Sequence, residues 1–133
     1  IYAICLNESL SKHGQDIGTE QVIIENLANM LIYCYVADST LSRVIQNKDF
    51  YKNKNQVVPE FCAKVYTAEQ GIRVNEYASK ILNNIYDGEI PSELNNKLEV
   101  LKKRLSLSTD TIGLKKIIGE KAVDAGGYPV QSF

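Results

Sequence analysis

The stretch TEQVIIENLANMLIYCYVADSTLSRVIQN, from Thr19 to Asn47, decides the fold. Ile24, Leu27, Leu31, Cys34, Leu41 and Ile45 follow three- and four-residue steps, interrupted at Asp38, and predict a helix whose seam faces a core. A second stripe, Ile23, Met30 and Ala37 with Tyr33 and Tyr35 beside it, makes the middle apolar almost all round, the pattern of a helix packed on more than one side. At 1.5 Å per residue the span is about 40 Å, enough to cross a domain. Asp16 or Thr19 is placed to cap the first N–H groups, and Glu20 suits the positive end of the helix dipole.

The flanking sequence repeats the pattern. From Ile1 to about Lys12, the spacing of Tyr2, Leu6 and Leu10, with Cys5 alongside, predicts a helix that ends at His13-Gly14, where glycine can take the left-handed closing conformation. Gln15 to Gly18 reads as a turn, and the polar run Asn47 to Gln56 as an exposed loop. A second long helix, roughly Val57 to Asp87, carries Pro59 in its first turn, where the missing N–H is no loss. Its stripe is Phe61, Val65, Ala68, Ile72, Ala78, Ile81, Leu82 and Ile85. Glu69 and Arg73 form an i,i+4 pair in the favourable order, and Gly71 marks close approach of another helix. Asp87-Gly88 stops this helix and Pro91-Ser92-Glu93 starts the next. There Leu94, Leu98, Leu101 and Leu105 make a narrow seam opposite Lys97, Lys103 and Arg104. A last helix runs from about Asp110 to Asp124 with Leu114, Ile117, Ile118 and Ala122 as its apolar side. Ala125-Gly126-Gly127-Tyr128-Pro129 closes it, leaving an extended tail from Val130 to Phe133. The expected fold is all-α: an up-and-down bundle of four to five helices, two of them long, forming one domain over residues 1–133, with strand content near zero.

Composition narrows the function classes. The 133 residues, 44% hydrophobic and 23% charged, describe an ordinary globular chain that needs no disulfide staples. A net charge of -1 supplies no overall field for nucleic acid, which is not expected as a partner. Cys5, Cys34 and Cys62 are odd in number and set among apolar residues, so buried free thiols in a reducing compartment are expected. The opening run Ile1 to Leu6 has no basic leader and no cleavage site, unlike a signal peptide, and no segment approaches the roughly 20 apolar residues of a membrane span. An intracellular protein is expected, cytoplasmic or of an organelle matrix, and not a secreted one. The absence of an initiator Met and a start inside an apolar stripe suggest a piece of a longer polypeptide.

Reactive chemistry is scarce. His13, the single imidazole, sits at an expected helix end and reads as a cap rather than a base. No Cys-x-x-Cys or His-x-x-x-His spacing offers a metal site. Glu69 and Glu76 lie two turns apart with Arg73 between them, which favours a structural ion-pair network over acid–base work. Tyr33, Tyr66, Tyr77 and Tyr86 fall in helical stripes and read as packing residues. The basic set Lys97, Lys102, Lys103, Arg104, Lys115, Lys116 and Lys121 is interrupted by Glu93, Glu99 and Glu120, as on a solvated face rather than a phospholipid-binding one. No catalytic, cofactor-binding or metal-binding residue is assigned.

Three stretches in order resemble a known family. Glu25-Asn26-Leu27-Ala28, followed by Ile32-Tyr33-Cys34-Tyr35 and Thr40-Leu41-Ser42-Arg43, resembles the helix with a LAD...DLYAM...LSRA pattern in the C-terminal extension of long- and very-long-chain-type acyl-CoA dehydrogenases. Tyr66 to Glu76, TAEQGIRVNE after the tyrosine, is similar to its following helix, with glutamate, arginine and glutamate at matching steps. Ala125 to Phe133 is similar to its glycine-rich terminus closing on phenylalanine. The resemblance implies the C-terminal helical domain of an FAD-dependent enzyme of fatty-acid β-oxidation. In that family the preceding dehydrogenase body holds the flavin and the glutamate base, so no FAD is expected in this piece and no activity from it alone. The implied partner is that body, with a homodimer as a further assembly. The chain lacks a strongly apolar amphipathic insertion, which argues against membrane attachment. The alternative is an independent helical protein–protein interaction module, its stripe around Met30, Tyr33 and Val36 binding a partner helix.

Overall fold

The computed structural model describes residues 1–105 and 109–130, with Arg104 and Leu105 as backbone only. Among these residues the helical periodicity becomes six α-helices and a short 3-10 segment, with no strand. They are α1 (Tyr2–His13), the 3-10 turn (Gly14–Thr19), α2 (Gln21–Gln46), α3 (Lys48–Asn53), α4 (Val58–Ile85), α5 (Ser92–Leu105) and α6 (Thr111–Asp124). The all-α bundle expected from the sequence is therefore present, with one helix more than expected. The extra one is α3, which occupies the run read as an exposed loop. Asp49 in its first turn and Lys52 in its last suit the helix dipole, and burial of Tyr51 anchors it. Six residues are too few to display a helical period, so only tertiary burial reveals this helix.

The helix ends follow local backbone chemistry. Gly14 closes α1 with φ 55 and ψ -125, a region that suits glycine, and donates its N–H to Leu10. α2 starts at Gln21 rather than at Asp16 or Thr19. Those two residues are spent within the 3-10 turn, where the Thr19 hydroxyl donates to the Asp16 carbonyl (2.7 Å). Pro59 lies in the first turn of α4 as expected. Past its end, Asp87 and Gly88 both have positive φ, and Gly88 N–H reaches back to the Asn83 carbonyl (2.9 Å). Asp110 caps α6 by accepting from Gly113 N–H (2.8 Å), and a Cβ on Gly113 would run into that carboxylate. Asp110→Ala should therefore cost about 0.5–2 kcal/mol. Gly113→Ala should cost a similar amount by displacing the cap, and the double variant little more than either. Amide exchange protection in α6 reads both. Gly126 (φ 65) and Gly127 close α6, with Gly127 N–H on the Ala122 carbonyl (3.0 Å).

The chain forms two compact units. One comprises Ile1–Tyr35 and Gln70–Leu107, the other Val36–Glu69 and Ser108–Phe133, so α2 and α4 each contribute to both. The first unit holds the main core: Cys5 of α1, Ile23, Leu27 and Met30 of α2, Val74, Ala78, Ile81, Leu82 and Ile85 of α4, and Leu98 of α5. α1 is also tied to the C-terminal end of α4. Lys12 donates to the Asn84 and Ile85 carbonyls, a cation placed at the negative helix end, and the Tyr86 hydroxyl donates to Glu8 (2.5 Å). Ser9, fully buried, returns its hydroxyl to the Cys5 carbonyl (2.7 Å).

The expected seams need correction. In α2 the inward side is Ile23, Leu27 and Met30, whereas Ile24, Leu31, Cys34, Leu41 and Ile45 are exposed. Leu10 on α1 and Ile72 on α4 are exposed too, with Cys5 and Val74 taking the inward positions. Two apolar stripes overlap on α2, and the rotation that buries one of them is set by the helices that pack against it, information that spacing alone does not carry.

In the second unit, Tyr51, Val58, Ala63, Val65 and Ala68 are buried. From α6, Leu114, Ile118 and Ala122 are half-buried, while Ile117 is exposed, and Lys115 pairs with Glu69 of α4. Gly71 is half-buried within α4. The Arg104 and Leu105 side chains, and the tail from Gln131 to Phe133, lie outside the described residues.

Candidate functional site

The residues able to do chemistry are scattered. His13 ends α1 with its Nδ1 3.8 Å from Glu20, and its Nε2 is buried without a partner. The three cysteines are free, but only Cys5 is buried. Cys34 and Cys62 are exposed, a correction to the expected burial of all three, because each lies on the outward side of a long helix. Glu69 takes Lys115 as partner, and Arg73 reaches Tyr33, so the ion-pair reading of this stretch acquires other members than the pair expected. Among the described residues no group of three or more His, Cys, Asp or Glu could hold a metal ion.

Four residues of the first unit form a polar aromatic cluster between α2 and α4. Tyr33 and Tyr77 stack with centroids 5.8 Å apart and planes at 21°. Arg73 lies over the Tyr33 ring (5.6 Å) and hydrogen-bonds its hydroxyl (3.4 Å), and Lys80 lies over Tyr77 (5.1 Å). The Arg73 hydrogen bond holds the Tyr33 phenol below the usual tyrosine range, while the hydrogen bond with Tyr33 raises Tyr77. Stacking and cation–π contact clamp the two long helices together, in keeping with the packing role expected of these tyrosines.

Of the basic set, Lys102 pairs with Glu99 (3.1 Å) and Lys115 with Glu69. Lys97, Lys116 and Lys121 are exposed. No helix among the described residues is long and apolar enough to cross a membrane.

A cleft in the second unit was not legible in the sequence. It measures about 250 Å³ and is lined by Val44, Lys48, Tyr51, Lys52, Asn55, Gln56, Val57 and Glu60. A second hollow, about 240 Å³, shares Val44, Lys48 and Glu60 with it and adds Leu41, Ile45 and Ala63. The cleft depends on α3, so Lys48, Tyr51, Lys52, Asn55 and Gln56 of its lining fell in the run read as a loop. The local signal was the pair Phe50-Tyr51, two aromatic residues inside an otherwise polar stretch.

Among the described residues of the first unit, the outward face of α2 is apolar and exposed. Ile24 (42% exposed), Leu31 (52%), Ile32 (55%) and Tyr35 (71%) present apolar surface on one helix. Exposed apolar patches of this kind mark interaction surfaces. The stripe weighed for a partner helix, Met30 with Tyr33 and Val36, is not that surface: Met30 is fully buried and the other two are half-buried.

Comparison with known proteins bears on this geometry. The family described as "Acyl-CoA dehydrogenase, C-terminal domain" matches residues 5–103, from α1 through most of α5. The chain belongs to the acyl-CoA dehydrogenase C-terminal domain family. The match takes in the whole of α2 and α4, and with them the exposed apolar face. No curated protein and no solved structure matches the chain.

Membership in the acyl-CoA dehydrogenase C-terminal domain family raises the question of flavin. The cleft and its neighbouring hollow fall below the roughly 300–1,000 Å³ of pockets that enclose drug-sized ligands, and FAD is larger than that class. A third hollow is larger, about 510 Å³, but its lining residues Asn55, Gln56, Val57, Val58, Lys121, Asp124, Ala125 and Pro129 include no aromatic ring on which an isoalloxazine could stack. None of these three hollows fits the cofactor.

Proposed function

We propose that this chain is the C-terminal helical domain of an FAD-dependent acyl-CoA dehydrogenase of the long- or very-long-chain type, an enzyme of fatty-acid β-oxidation, and that it acts by packing and assembly. The dehydrogenase body of the same polypeptide holds the flavin and performs the oxidation. The observation that carries this reading is the bare apolar face of α2 in a chain of this family. That face is the surface a larger neighbouring domain would cover. A second copy of the enzyme is a further partner on this reading, and solution mass of the parent enzyme tests it. Three free thiols suit a reducing compartment, either cytoplasm or organelle matrix.

Two measurements test the proposal. The purified chain, mixed with FAD and a long-chain acyl-CoA, should retain no flavin and reduce no electron acceptor; turnover by the chain alone would overturn it. Leu31→Glu with Tyr35→Glu should change the stability of the isolated chain by no more than about 0.5 kcal/mol per site, since both side chains are exposed. In the parent polypeptide the same pair should loosen the domain, seen as faster proteolytic release and a lower melting temperature. An unchanged parent enzyme would show that the face is not the docking surface.

A further inference from the structure

Among the described residues α6 is the one α-helix without a buried side chain. Its inner row, Leu114, Ile118 and Ala122, is half-buried, and Ile112, Ile117 and Val123 are exposed. α6 belongs to the second unit together with the first part of α4, and contacts at its two ends set its direction. Lys115, near its start, pairs with Glu69, whereas Lys121, Asp124 and Ala125, near its end, share a hollow with Val57 and Val58. Numbering rises along α6 as it falls along α4, so the two helices run antiparallel. Stepping back from Glu69 by three and four residues along one face of α4 gives Val65, Phe61 and Val58. Val58 and Val65 are buried and Phe61 is half-buried, so this is the apolar row that α6 covers.

The attachment is weak. The Lys115 and Glu69 side chains are 56% and 39% exposed, and water screens an ion pair in that setting. No side chain of α6 does for it what Leu98 does for α5. Both ends of α6 are closed from within: Asp110 accepts from Gly113 N–H (2.8 Å), and the N–H groups of Gly126 and Gly127 return to the Val123 and Ala122 carbonyls (3.0 Å each). Neither cap draws on another helix, so lifting α6 leaves both intact. The family match, residues 5–103, ends before α6 begins. We infer that α6 is a strap that lifts from α4 as one unit while the core of the first unit stays folded. The apolar row Val58, Phe61 and Val65 is closed by α6 of the same chain and becomes accessible when the strap opens. This device is independent of what covers α2.

Amide exchange of the full 133-residue chain, followed by NMR in low urea, tests it. Amides from Lys115 to Ala122 should share one opening equilibrium and exchange at least about a hundredfold faster than those of Leu27 to Met30. Their rates should stay nearly flat in low urea, because a local opening exposes little surface. Lys115→Glu sets like charges opposite each other and should speed exchange in α6 by about threefold or more, with Leu27 to Met30 unchanged. Adding Glu69→Lys should restore the original rate, which separates the cross-helix pair from any change in helix propensity. A thiol placed by Val65→Cys, in a chain also carrying Cys34→Ser and Cys62→Ser, should react with a thiol reagent at the opening rate of α6. Exchange of α6 only together with Leu27 to Met30, a gradient of rates running inward from its ends, or reaction of the introduced thiol only on global unfolding overturns the inference.

Discussion

Leu98→Ala should destabilise the chain by about 2–5 kcal/mol, the cost of deleting a fully buried leucine and leaving a cavity. Leu98 is the fully buried residue of α5, a helix otherwise rich in Lys and Glu, with Leu94 and Leu101 only half-buried beside it. Its side chain belongs to the same core cluster as Met30, Ile81 and Leu82, so truncation removes a buried contact holding α5 to the rest of the first unit. Urea unfolding followed by helical circular dichroism measures the loss, and amide exchange should show α5 losing most protection. Ile72→Ala is the matched control. Ile72 belongs to the stripe expected from spacing, yet it is 59% exposed, so its truncation should cost no more than about 0.5 kcal/mol. If the two variants cost the same, the assignment of inward and outward faces fails.

The second large effect is a dependence on pH set by one thiol. Burial pushes the Cys5 thiol from 9.0 up to about 11, and Cys5 is wholly inaccessible to solvent. Below pH 9 the thiol is protonated whether the chain is folded or not, and its contribution is complete. Between pH 9 and 11 the unfolded chain releases the proton and the folded chain keeps it, so unfolding gains what folding cannot. Above 11 both forms are ionised and the contribution has gone. A difference of two pKa values corresponds to about 2–3 kcal/mol lost across this window. Tyrosine and lysine titrate in the same range, so the measure is wild type minus Cys5→Ala, compared by urea unfolding at pH 8 and pH 11. That difference should shrink by about the same amount. A thiol reagent at pH 8 should label Cys34 and Cys62 at once and Cys5 only on unfolding; rapid labelling of all three would place Cys5 outside the core.

The outward face of α2 shows how far periodicity carries. Apolar residues at three- and four-residue steps mark an amphipathic helix, and Ile23, Ile24, Leu27, Met30 and Leu31 all satisfy that rule. Where two stripes overlap, spacing cannot say which one turns inward. The helices α1, α4 and α5 chose Ile23, Leu27 and Met30, and left Leu31 and Tyr35 bare. The apolar breadth of α2 is therefore real, but among the described residues the side of Leu31 and Tyr35 stays exposed.

The cysteines repeat the point. An apolar neighbourhood in sequence led to the expectation of three buried thiols, but Cys34 and Cys62 have apolar neighbours along the chain and solvent beside them in space. The cleft was hidden for a related reason: α3 is too short to announce itself, and its anchor, Tyr51, is buried only in the folded chain.

Helix type, the placement of most ends and the scarcity of reactive groups were written locally, in the three-to-four spacing, in Gly14, Gly88 and Pro59, and in the single histidine, because backbone preference and capping act over a few neighbouring residues. The rotation of each helix about its axis, the short α3, the shielding of Cys5 and the lysine-lined hollow required the assembled chain. Those properties depend on which distant side chains exclude water from a given atom, and no window of sequence contains that.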